Sequence, residues 1–96
     1  MATFISLVNF TEQGARNIKE SPARAEAFTK MAESLGVKVK GIHWTIGAYD
    51  LVVAVEGSDE AVTAALLKVG AGGNVRTHTL RAYDAREFTK ILGMMP

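Results

Sequence analysis

The chain is 96 residues long with a formal net charge of +1, 48% hydrophobic and 22% charged residues, and no cysteine. One domain of ordinary globular composition fits these values, and the near-zero charge argues against capture of nucleic acid or an anionic membrane. Disulfides, thiolate chemistry and cysteine-based zinc sites are excluded. The opening "MATFISLVNF" lacks a signal peptide's basic region and cleavage site, and no apolar run approaches the ~20 residues of a membrane span, so a cytoplasmic protein is expected.

In chain order, "TFISLVNF" (Thr3–Phe10) is rich in β-branched and aromatic residues and reads as a first strand. Thr11 can cap a short helix over "EQGARNIKE", and "SPAR" restarts it, with Ser21 as cap and Pro22 at the first helical position. Phe28, Met31, Ala32 and Leu35 recur at helical spacing, and Gly36 is a stop. "VKVKGIHWTI" and "YDLVVAVE" are two more strands. "SDEAVTAALLKV" is a helix capped by Ser58, with Val62, Ala65, Leu66 and Val69 as its apolar stripe. The "GAGG" that follows ends it. "NVRTHTLRAY" is a fourth strand and "DAREFTKIL" a final short helix, its capping box formed by Asp84 and Glu87, with Phe88, Ile91 and Leu92 expected to face inward.

The order β-α-β-β-α-β plus a terminal helix predicts an α+β fold, the ferredoxin-like sandwich. Right-handed crossovers put both main helices on one face of an antiparallel sheet, with the first and third strands central. A two-residue turn at Gly47-Ala48 pairs Ile46 with Tyr49, Thr45 with Asp50 and Trp44 with Leu51. Ile42, Trp44, Ile46, Tyr49, Leu51, Val53 and Val55 then share the face expected to meet the helices. His43, Thr45, Asp50, Val52 and Ala54 share the open one. The first strand is apolar on both sides, with Phe4, Val8 and Phe10 on one and Ile5 and Leu7 on the other. Helices can cover only one of these, and a second copy of the chain is the expected cover for the other.

Three segments, "TFISLVNFTEQGARNIKESPAR", "GAYDLVVAVE" and "GNVRTHTLRAY", resemble the GYD-domain family, whose Gly-x-Tyr-Asp element is here Gly47-Ala48-Tyr49-Asp50. The resemblance spans nearly the whole chain, read as the single domain 1–96. It implies a ferredoxin-like fold of the dimeric α/β-barrel type, in which two sheets face each other, and it carries no established activity. Ala48 stands where the family more often has Arg or Lys, and the loop "EGSDE" is one residue shorter than usual.

The leading functional expectation is a small-molecule binding or sensing module whose cavity lies between facing sheets. Ser6, His43, Thr45, Tyr49 and Asp50 are the ligand-contacting candidates. The alternatives are a cofactor-independent enzyme (oxygenase, isomerase or lyase) with His43 or Asp50 as proton acceptor, and a purely structural oligomerisation unit. A metal site is not expected: His43 and His78 fall on the two outer strands, three strand spacings or ~14 Å apart. No cofactor is expected, and the expected partner is a second copy of the chain.

Overall fold

The computed structural model describes all 96 residues. Four strands, β1 (Ala2–Phe10), β2 (Lys38–Trp44), β3 (Leu51–Gly57) and β4 (Val75–Ala82), form one antiparallel sheet in the order β2-β3-β1-β4. The helices are α1 (Glu12–Arg16), α2 (Ser21–Ser34), α3 (Asp59–Ala71) and α4 (Ala85–Leu92). This is the expected α+β ferredoxin-like arrangement, with β1 and β3 central. Its smallest extent is 18 Å, the thickness of one sheet and one layer of helices. No helix is long and apolar enough to cross a membrane.

Strand alternation settles which side of β1 meets the helices. Ser6 and Val8 are buried and pair with the buried Val53 and Leu51, while Phe4 pairs with the buried Val55. Val8, Leu51, Val53 and Val55 form one core with Ala32 of α2, Val37, and Val62 and Ala65 of α3, and Phe28, Met31 and Leu66 pack against it. Only 12 residues are buried, so the core is confined to this side of the sheet. Ile5 and Leu7 point to the other side, with Val52, Ala54 and Leu80 as their register partners.

Two local expectations need correction, and β2 departs from a regular ladder. Ser21 does not cap α2. A 3-10 turn at Ile18–Glu20 runs straight into the helix, and the Ser21 hydroxyl instead accepts the Trp44 indole N–H at 3.0 Å. In β2 the alternation is interrupted at Lys40, a bulge between Val39 and Gly41. The C-terminal helix does not face inward. It has the Asp84–Glu87 capping box and no buried residue, with Phe88 52% and Leu92 50% exposed. The box starts α4 two residues after β4 ends, and the helix runs off an outer strand with Phe88 and Leu92 left exposed. Arg81 moors it, packing its guanidinium over the Phe4 and Tyr83 rings and pairing with Glu87 at 3.8 Å.

The start of α1 is clamped to the loop before β4. The Thr11 amide donates to Asn74 O at 3.0 Å, its hydroxyl to Gly73 O at 2.6 Å, and the Gln13 amide to Asn74 Oδ1 at 3.0 Å. Gly14 lies so close that an added Cβ would sit 2.0 Å from Asn74 O. Gly14→Ala is therefore expected to cost at least about 1–3 kcal/mol through overpacking. Gly70→Ala, in α3 with nothing within 4 Å of the new methyl, is expected to gain about 0.5–1 kcal/mol. Urea denaturation of both variants checks the contrast.

Candidate functional site

The open face of the sheet is where the sequence places its chemistry. One cross-strand row runs His43, Val52, Leu7, His78, each residue the register partner of the next. A second runs Gly41, Ala54, Ile5, Leu80. The face is thus apolar along its middle, with an imidazole at either side on the outer strands. Three inter-strand steps separate the imidazoles, as expected, and no group of three His, Asp or Glu residues is placed to hold a metal ion.

The β2–β3 connection modifies this face. The paired ladder ends at Trp44–Leu51. Beyond it Thr45 N–H still donates to Asp50 O at 2.8 Å, but Asp50 N–H turns to Val8 O at 2.8 Å. Ile46 is fully exposed and Gly47 has φ +137°, so the expected Ile46–Tyr49 pair does not form. The tip leans instead over the open face: Asn9 Nδ2 donates to Ala48 O at 2.9 Å, and the Tyr49 ring meets the His78 ring edge-on, centroids 6.0 Å apart. Tyr49 therefore lies on the open side, not the helix side. Once the chain crosses from β3 toward β1, strict alternation no longer governs its side chains.

The five ligand candidates separate accordingly. His43 is exposed on the open face, and Tyr49 is half-buried on the same side against His78. Asp50 spends its carboxylate on the Phe10 amide, Oδ2 accepting at 2.9 Å. Thr45 donates its hydroxyl to Tyr49 O. Ser6 lies across the sheet from His43, buried on the helix side and hydrogen-bonded to Thr79 Oγ1 at 3.0 Å. Trp44, as its register predicts, also belongs to the helix side. Sequence reasoning missed the approach of Tyr49 to His78. Asn9, whose amide draws the tip across, was the only available signal.

The profile of the GYD domain family matches residues 4–92. The chain belongs to the GYD domain family. A curated protein of Thermus thermophilus, named glutamine synthetase and cystathionine beta-lyase binding protein, is 37% identical to it over 84 residues. The alignment covers 85% of this chain and 88% of that protein. In this GYD domain the Gly-x-Tyr-Asp element thus has a visible structural part: Gly47 supplies a positive φ, Tyr49 reaches the open face, and Asp50 ties the turn to the end of β1.

Replacing Asp50 tests that tie. Asp50→Ala leaves the Phe10 N–H without its acceptor and is expected to cost about 1–3 kcal/mol. Asp50→Asn keeps an acceptor oxygen and is expected to cost less than about 1 kcal/mol. Chemical denaturation distinguishes them, and an Asp50→Ala variant as stable as the wild type would show that the Phe10 contact contributes nothing.

Proposed function

We propose that this GYD domain is a non-catalytic binding module that works in the cytoplasm as a homo-oligomer, pairing the open sheet faces of two copies and holding a protein partner. The observation that carries the reading is the uncovered apolar surface of Ile5, Leu7, Val52, Ala54 and Leu80, over which the chain's own helices place nothing. Four strands ~4.8 Å apart and ~18 Å long present roughly 350 Å² in plan, short of the ~800 Å² per partner of a stable interface. The unburied stripe of Tyr83, Phe88 and Leu92 at the edge of the same sheet supplies further apolar area, and the second copy is the occupant that suits both. The name of the Thermus relative, a binding protein for two enzymes, supports the protein partner.

A small molecule held between the sheets would meet His43, His78 and Tyr49, which turn to that side. The engagement of Asp50 with the Phe10 amide favours binding over proton abstraction at that residue.

Size-exclusion chromatography with light scattering tests the assembly. The wild type is expected at twice its 10.3 kDa chain mass or a higher multiple. Leu7→Asp, which buries a charge in the interface, is expected to yield a folded monomer; a wild-type monomer would sink the assembly. Mixing the oligomer with purified glutamine synthetase and cystathionine β-lyase of its own host tests the partner. Co-elution with at least one is expected, and co-elution with neither removes those two enzymes as partners.

A further inference from the structure

The helix side of the sheet holds an opening that the proposed assembly does not use. Between α2, α3 and the sheet lies a cavity of about 100 Å³, walled mainly by Val8, Phe28, Leu51, Val53, Leu66 and Val69. An apolar cavity of ~150 Å³ admits a benzene-sized guest; at about 100 Å³ this one is smaller, so a branched chain fits within it and a single ring enters only by projecting through the open side. Val and Leu at its walls offer such a guest no hydrogen bond, and Ser6, Ser21, Asn74, Thr77 and Arg24 are the polar lining residues.

Those polar groups have capacity to spare. Ser21 is buried and accepts from Trp44, so its own proton is uncommitted. The Ser6–Thr79 contact uses one of two hydroxyl protons. Arg24 is half-buried and donates to Asn17 O at 2.8 Å and Gly14 O at 3.4 Å. None of the ion pairs in the molecule includes it. A guanidinium has five N–H donors, so Arg24 stands beside an apolar cavity with a full charge and donors to spare. The fork of a guanidinium matches a carboxylate in both charge and geometry.

We propose that this cavity binds a small monocarboxylate with an apolar body, an aromatic or branched-chain acid. The body occupies the apolar walls and the carboxylate meets Arg24. The site lies across the sheet from the proposed dimer face and does not depend on it. Trp44, bonded to the lining residue Ser21, is the only tryptophan of the chain and reports on occupancy through its fluorescence.

Three probes decide the matter on the full-length wild-type chain: phenylacetate, 2-phenylethanol, which has the same body without the charge, and acetate, which has the charge without the body. Phenylacetate is expected to shift the Trp44 emission saturably, with a Kd on the order of 1 mM or tighter, and to move the amide NMR signals of Val8, Ser21 and Leu66. Both other probes are expected to bind at least about tenfold more weakly. Arg24→Gln is expected to erase the preference for phenylacetate over the alcohol, and Val69→Phe, which fills the cavity, to abolish binding of both. Should either variant fail to fold, the wild-type ranking alone decides. Equal binding of acid and alcohol, perturbations confined to Ile5, Leu7 and His78, or no saturable response to phenylacetate would overturn the proposal.

Discussion

Two short helices cannot cover both faces of a four-stranded sheet, and the organisation of this molecule follows from that limit. Right-handed crossovers put α2 and α3 on the same side, where they bury Val8, Leu51, Val53 and Val55. The opposite side keeps Ile5, Leu7, Val52, Ala54 and Leu80 without a cover from the same chain. A strand apolar on both faces is ordinary in a sheet covered on both sides. Here the second apolar side is left bare by the chain's own helices, which is the ground of the proposed assembly.

The architecture was legible because its signals were redundant. Ser58 and the capping box at Asp84 marked helix starts, Gly36 with its φ of +82° marked a stop, and the pairing of Trp44 with Leu51 and His43 with Val52 followed from the turn. The errors arose where one rule was extended past its reach. Helical periodicity shows that Phe88, Ile91 and Leu92 share a face, but not whether anything waits on the other side of it. Period-two alternation placed Tyr49 with the core, but the tip had already left the ladder to follow the Asp50–Val8 and Asn9–Ala48 hydrogen bonds. Those are contacts between segments about 40 residues apart, and no local pattern announces them.

The candidate site was less legible for a related reason. Polar residues near one turn look alike in sequence, whether they face a ligand or tie down the chain. The structure divides them by partner: Asp50 and Thr45 are committed to backbone groups, Ser6 to Thr79 across the sheet, while His43 and Tyr49 remain turned toward the open face. The cavity beneath the helices had no sequence signature, because Val and Leu at core positions read the same whether they meet a neighbour or a void.

The outer strands impose a further condition. Lys40 bulges from β2, breaking the even row of backbone groups that a new strand would need, and pairs with Glu56 at 3.9 Å. The other edge carries the exposed Arg76 and Arg81. Blunted edges resist strand addition, which leaves the apolar face as the surface that the proposed assembly would use. A face can be used once: when a second copy covers it by a two-fold operation, the surface is consumed and the contact is self-complementary. Self-association of the proposed two-fold kind would therefore be finite by construction, ending in a closed pair and not in a fibre.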